Sequence, residues 1–289
     1  MELIDGIKIS NNKIAEIKKR IDEIKNSRGI VPSLMTILVG NNPASQIYIK
    51  LKMQACKRVG IKSFHINLDK NSSQKNIIAL IKNLNNDSNI DGILLQLPLP
   101  KSNYTQKCIN AICPSKDVDG LHPTNAGLLN LSKNWDEIIK KNILISCTPL
   151  GVIYLLKHSN IEIDGKIVVI IGRSNLVGKP LSMLLLANNA TVIICHSKTK
   201  NLKEICKSAE ILIVAIGKPK FINGDFIKDG ATVIDVGINR VVSKLCGDVD
   251  FDAVKNMNIK ITHVPGGVGP MTIAMLLENT LKAFNNRNM

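Results

Sequence analysis

Tyr48 and Lys52 lie four residues apart where apolar spacing predicts a helix over 45–59, so they share one helix face. Ser45, three residues before Tyr48, joins that face. A lysine beside a tyrosine near a strand end can act as general acid and base if desolvation lowers its pKa; packing on a solvated helix surface is the ordinary alternative. Gln96 falls late in the apolar run 91–98. It is either a core amide with its partners satisfied or a group lining a site, because ligands of open α/β sheets gather beyond the carboxyl ends of strands. Lys116, Asp117, Val118, Asp119 and Gly120 set two carboxylates two residues apart before a glycine turn. Turn capping and acceptance of hydrogen bonds from a ligand amine are both open to them. The spacing fails the EF-hand pattern and no further ligand cluster accompanies it, so no metal site is expected.

Two glycine-bearing turns extend this set. An apolar strand over 166–172 ends at Gly172, and Gly178 follows where a helix should begin. Gly172 permits a sharp turn, Gly178 a close approach of strand and helix, and the helix start offers free N–H groups to an anion. The spacing is Rossmann-like without being G-x-G-x-x-G, which leaves a dinucleotide site and a plain strand–helix turn both open. The next strand ends in Cys195, His196, Ser197 and Lys198, with no carboxylate to bond a ribose 2′-hydroxyl. Ser197, Lys198 and Arg173 suit a 2′-phosphate instead, favouring NADP over NAD; a solvated basic loop is the other reading. From Pro265 to Thr272, three glycines between two prolines leave backbone N–H groups accessible beside a helix start. Such a loop can wrap a planar or anionic ligand. His122 and His196 are read as structural.

The elements that must position these residues alternate strand and helix. Helices are expected over 14–26, 45–59 and 72–85, the last capped by Ser72 or Ser73, and strands over 33–39, 63–68 and 91–98. The pattern weakens around 128–142. A second series follows: helix 148–158, strand 166–172, helix 180–188, strand 190–195, helix 202–209 and strands 210–215, 231–236 and 259–263. A last helix, 271–284, can pack back on the first series. The expected fold is two α/β domains, the second a Rossmann-like parallel sheet. The division is 1–142 plus 271–289 against 143–270.

The chain has 289 residues, 45 % hydrophobic and 21 % charged, a globular composition long enough for about two domains. Its net charge of +15 favours anionic partners such as phosphorylated cofactors or polycarboxylates. The basic residues are scattered and aromatics are only 3 %, so no nucleic-acid partner is expected. No apolar run approaches a membrane span and no signal peptide is read at the N-terminus, which gives a soluble, cytoplasmic expectation. Seven cysteines, odd in number and without a CxxC pair, fit a reducing compartment.

Together these residues resemble the bifunctional methylenetetrahydrofolate dehydrogenase/methenyltetrahydrofolate cyclohydrolase family over nearly the whole chain. The stretch from Pro43 to Lys52 resembles its catalytic helix. Asn85 to Asp87 with Ile93 to Leu99, and Pro265 to Ile273, match its two signature stretches. Gly172 to Ser174 and Lys116 to Gly120 match as well. The resemblance implies hydride transfer from 5,10-methylenetetrahydrofolate to NADP⁺, then hydrolysis of the methenyl cation to 10-formyltetrahydrofolate, which feeds purine biosynthesis. It implies Lys52 as the acid/base, Gln96 as the residue that positions Lys52 and tunes its protonation, and Tyr48 against the folate near the reacting centre. Asp119 would accept bonds from the pterin, and the loop residues Pro265, Gly266, Gly267 and Thr272 would border the folate in a cleft between domains. Gly172, Arg173, Ser174, Ser197 and Ile238 would contact NADP, and a homodimer through the cofactor domain is implied. Leu121 stands where Phe is common, and His263 where Pro is common. These bear on local packing and on the peptide geometry before the loop. A dehydrogenase with little cyclohydrolase activity, and a non-catalytic basic binding protein on the same fold, are the alternatives.

Overall fold

The computed structural model describes residues 1–242 and 244–288. The chain divides into two compact units. One holds Met1–Asn11, Leu129–Lys141 and Thr148–Thr272; the other holds Asn12–Leu128, Asn142–Cys147 and the residues from Ile273 on. Strand β1 (Glu2–Ile4) belongs to the first of these, and helix α1 (Gly6–Arg28) contributes residues to both.

The second unit is built on a three-stranded parallel sheet. Strand β2 (Ser33–Val39) lies between β3 (Lys62–Leu68) and β4 (Gly92–Leu95). Every residue of β2 is buried, as a continuous apolar run in a parallel sheet should be. Helices α2 (Pro43–Val59) and α3 (Gln74–Asn86) make the crossovers. Asn42 caps α2 by accepting the Ser45 N–H, Pro43 occupies its first turn, and Gly60 ends it at φ +88°. Ser73, one of the two expected caps, holds the start of α3 through the Asn76 N–H. The other end of α3 is closed by Lys116, whose Nζ donates to the Leu84 and Asp87 carbonyls at 3.0 and 2.7 Å. Met35, Ile37, Ile77, Ile81, Ile93 and Leu95 form the core between sheet and helices. Strand β4 stops at Leu95, short of the expected 98, and the Gln96 N–H makes one further bond across to the Ile37 carbonyl.

Four short or medium helices follow: α4 (Thr105–Ile109), α5 (Pro123–Asn130), α6 (Trp135–Lys140) and α7 (Cys147–His158). The first unit is a six-stranded sheet. Its further strands are β5 (Ile167–Ile171), β6 (Thr191–Cys195), β7 (Ile211–Val214) and β8 (Thr232–Asp235). A hairpin of β9 (Asn239–Val241) and β10 (Lys244–Cys246) comes next, then β11 (Lys260–Thr262). The sheet order is β1-β11-β8-β7-β5-β6, parallel at every pairing. Helices α8 (Gly178–Leu186), α9 (Leu202–Lys207) and α10 (Phe251–Val254) accompany it. Helix α11 (Val268–Asn288) closes the described chain.

Both α8 and α11 begin ahead of their expected starts at 180 and 271. Pro180 and Pro270 sit at the third position of their helices, where the missing N–H would have no helical partner anyway. From Ile273 on, α11 belongs to the three-stranded unit. There Glu278 pairs with Lys13 and Arg20, and Arg287 with the buried Asp91. Among the described residues, no helix is long and apolar enough to cross a membrane.

Candidate active site

In the three-stranded unit, Ser45, Ile49, Lys52, Cys56 and Val59 form the buried seam of α2, at alternating spacings of four and three. Lys52 therefore points inward, only 9 % exposed. Its Nζ donates to Gln96 Oε1 at 2.9 Å, and Gln96 Nε2 donates to the Leu97 carbonyl at 2.7 Å. That second bond can be made only by the amide nitrogen, so it fixes the oxygen toward the lysine. The Gln96 backbone N–H still reaches Ile37 across the sheet, which anchors the residue at the carboxyl end of β4. Tyr48, one turn before Lys52, is half-buried, and burial raises its phenol above the ordinary value.

The second carboxylate of the 116–120 segment joins this pair. Asp117 bridges Ile93 of β4 as a short parallel pairing, and Val118 packs against Gly92, where any Cβ would strike its methyls. The buried Asp117 carboxylate accepts the His122 N–H at 2.7 Å and Asn125 Nδ2 at 3.0 Å, so it organises the turn. Gly120 takes φ +69° against the backbone of Ile145 and Ser146. Asp119 is thereby left half-buried beside Lys52. Burial holds its carboxyl above the usual range, Lys52 pulls it back, Asp117 pushes it up again, and the Cys147 thiol donates to it. Burial and the Asp119 charge push the Cys147 thiol well up. Asn279, fully buried on α11, donates to the Val118 and Ile145 carbonyls at 2.9 and 2.7 Å and so brackets Asp119. Nothing in the sequence marked Cys147 or Asn279. Their roles depend on the fold bringing 118, 145–147 and 279 together.

The six-stranded unit carries the other named residues. Gly172 ends β5 at φ +129°, and a Cβ there would strike the Ala215 carbonyl. A Cβ on Gly178 would in turn overlap the Gly172 carbonyl. The two glycines touch, as close strand–helix packing requires. No side chain caps the first turn of α8, while Arg173 and Ser174 stand exposed on the turn. Ser174 Oγ accepts the Val177 N–H at 3.1 Å. Ser197 and Lys198 are exposed beyond β6, and Ile238 beyond β8. A turn whose Cβ positions are closed, at the start of a helix and with exposed cations about it, fits a dinucleotide phosphate.

In the 265–272 loop, Gly266 takes φ +112°, and a Cβ on Gly267 would meet Thr262 and His263 at 2.8 Å. The Gly266 and Gly267 carbonyls press on Gly6, which itself leaves no room for a Cβ. Two of the three glycines thus serve the backbone. A Cβ on Gly269 would meet only Ile238 Cδ1, at 3.7 Å. Thr272 Oγ1 lies 3.0 Å from Thr148 Oγ1. His263 contacts the Pro265 carbonyl beside the cis Val264–Pro265 peptide. His122 and His196 each accept, at Nδ1, the N–H two residues on, and so serve their own turns.

Two family models match: the tetrahydrofolate dehydrogenase/cyclohydrolase catalytic domain over residues 4–119, and the NAD(P)-binding domain of the same enzymes over 146–288. The bifunctional protein FolD of Agathobacter rectalis is 54 % identical over 283 residues, 98 % of each chain. The crystal structure of bifunctional FolD, a methylenetetrahydrofolate dehydrogenase/cyclohydrolase, from Campylobacter jejuni is 47 % identical over 99 % of both chains, with a TM-score of 0.92. The Trypanosoma brucei methylenetetrahydrofolate dehydrogenase-cyclohydrolase, solved with NADP and an inhibitor, is 35 % identical at a TM-score of 0.92 and covers 99 % of this chain and 98 % of its own. Identity of this extent over both matched domains leaves one assignment: the chain belongs to the tetrahydrofolate dehydrogenase/cyclohydrolase family.

Proposed function

We propose that this chain oxidises 5,10-methylenetetrahydrofolate to 5,10-methenyltetrahydrofolate with NADP⁺ and hydrolyses that product to 10-formyltetrahydrofolate, within the folate-borne one-carbon supply of purine synthesis. The observation that carries the reading is the buried Lys52–Gln96 bond beside Asp119, in a chain of this family. The reacting chemistry on the folate is assigned to Lys52, Gln96, Tyr48 and Asp119 of the three-stranded unit, and NADP to the six-stranded one.

When bound, NADP⁺ supplies the hydride acceptor. Gly172, Arg173, Ser174, Ser197 and Ile238 are the residues proposed to hold it, with Arg173 and Ser197 on the 2′-phosphate. The carbon oxidised lies between two nitrogens that stabilise its cation, so in that step the chain mainly has to orient. Hydrolysis needs proton transfers. The Lys52 amine takes a proton from water as the oxygen bonds to the methenyl carbon, and returns it to N5 as the carbon–N5 bond breaks; the remaining hydroxyl proton then leaves to solvent as the formyl C=O forms, so the hydrolysis releases one proton in all. Gln96 holds that amine in place. Asp119 accepts bonds from the pterin N–H groups, and Tyr48 packs near the reacting carbon. Pro265, Gly266, Gly267 and Thr272 are the further folate contacts proposed. A cytoplasmic homodimer, paired through the cofactor-binding unit, completes the proposal. A monomer mass by light scattering at micromolar concentration would count against that pairing.

The test is ultraviolet spectroscopy of purified protein with methylenetetrahydrofolate and either nucleotide, in wild type and Lys52→Met. The expected result is NADPH formation in both, with the methenyl product accumulating only in the variant. No reduced cofactor from either nucleotide would overturn the reading. Methenyl product left standing by the wild type would leave a dehydrogenase alone.

A further inference from the structure

We propose that Asp248 is a positioning residue for cofactor binding: its carboxylate ties the loop after β7 to the turn after β8 that carries Ile238. This rests on the assignment of NADP to the six-stranded unit.

Asp248 is wholly buried. Its Oδ2 accepts the Ile216 and Gly217 N–H groups at 2.7 and 2.9 Å, and its Oδ1 accepts Asn239 Nδ2 at 2.8 Å. Residues 215–217 are the carboxyl-terminal exit of β7, and residues 236–239 that of β8. These two strands are neighbours, and β7 also borders β5, whose exit is Gly172. The Ala215 carbonyl presses against Gly172, so the exits of β5, β7 and β8 form one continuous edge. A ligand of a parallel sheet lies along such an edge. One carboxylate therefore fixes two of its three segments without standing on the edge itself.

The surroundings are shaped to admit it. A Cβ on Gly237 would overlap the Asp248 carboxylate, and one on Gly247 would overlap that of Asp235. Asp235 orients the strut from below: its Oδ1 accepts the Asp248 and Gly237 N–H groups at 3.0 Å each, and its Oδ2 accepts the Val249 N–H at 2.9 Å. A buried carboxylate is worth its desolvation where its acceptors meet several donors at once, and here it meets three. An asparagine there keeps its oxygen on the Ile216 and Gly217 N–H groups only by turning its amide nitrogen to a flipped Asn239, and every bond that remains is neutral where the carboxylate's were charge-assisted.

The experiment compares wild type with Asp248→Asn. It measures NADP⁺ affinity by calorimetry, the KM for NADP⁺ against kcat, amide exchange at Ile216 and Gly217, and hydrolysis of methenyltetrahydrofolate without nucleotide. The expected result is about tenfold weaker NADP⁺ binding and a matching rise in KM, with faster exchange at the two amides. The kcat and the nucleotide-free hydrolysis, which depends on Lys52 and Gln96 in the other unit, stay within twofold. Unchanged affinity would overturn the proposal, and so would a parallel loss of both activities. If Asp248→Asn does not fold, Asn239→Ala removes only the Oδ1 arm; about threefold weaker binding is then expected, and no change overturns the idea. A wild type that binds no NADP⁺ would instead overturn the cofactor reading beneath it.

Discussion

A lysine on the core side of a helix needs a partner, and Lys52 has one that offers a single acceptor. The Gln96 oxygen holds the amine while the Gln96 nitrogen is spent on Leu97. Removing that amide in Gln96→Ala frees the amine to wander. Cyclohydrolase turnover should fall about a hundredfold, at the lower end of what positioned proton transfer contributes, with hydride transfer less affected. Steady-state rates for the two steps decide it, and equal losses would point to misfolding. Arg173→Ala should raise the KM for NADP⁺ about tenfold or more and leave NAD⁺ use unchanged, since a charge-assisted bond to phosphate contributes about 1.5–3 kcal/mol. Parallel kinetics with both nucleotides measure that split. Lys52, Gln96 and Asp119 could be singled out in the sequence: Lys52 stands four residues after Tyr48 on one helix face, Gln96 is an amide in an apolar strand, and Asp119 is a carboxylate before a glycine. Cys147, Asn279 and Asp248 break none. A buried cysteine looks like any small apolar residue, and an asparagine within a helix or an aspartate within a turn looks ordinary until the fold supplies its partners.

At the scale of elements, long apolar runs read well. The span of β2 is the expected one, and the expected α2 starts only two residues late. Short elements did not. β1 and the β9–β10 hairpin have three residues per strand, too few for alternation to show. The β5–α8 turn makes its own prediction. Gly178→Ala would drive a methyl into the Gly172 carbonyl, at about 1–3 kcal/mol by the usual cost of overpacking. A lower denaturant midpoint together with weaker NADP⁺ binding would show it, and an unchanged midpoint would mean that the turn has slack. The β8 terminus predicts a pH effect. Burial pushes the Asp235 carboxyl up to about 6, with the Asp248 charge adding and three N–H donors opposing. The folded state thus holds this proton more tightly than the unfolded chain. The contribution to stability is full below about pH 4 and is lost as pH rises through 6, about 3 kcal/mol in all at about 1.4 kcal/mol per unit. Unfolding free energies of wild type minus Asp235→Asn should decline across that window; a flat difference would sink the assignment.

For the whole molecule, a net charge of +15 sets the long-range field. Both proposed ligands are polyanions, so kcat/KM for each should fall as ionic strength rises past about 0.1 M, where screening shortens to about 10 Å. A salt titration that left kcat/KM flat would show that the charge is only compositional. Saturation with NADP⁺ should also raise the melting temperature, as about 2.7 kcal/mol of native-state stabilisation at a hundredfold excess over Kd requires. One pairing has a consequence for how the chain is made. β1 completes the six-stranded sheet by pairing Glu2 with Lys260 and Ile4 with Thr262. During synthesis β1 emerges more than two hundred residues before β11, its one sheet neighbour among the described residues, whereas β2, β3 and β4 can pair as soon as residue 95 has left the ribosome. The three-stranded sheet therefore has a head start of most of the chain. The edge next to the Pro265–Gly267 loop therefore waits for β11, and a nascent protein carries β1 without its place in this sheet until residue 262 has been made.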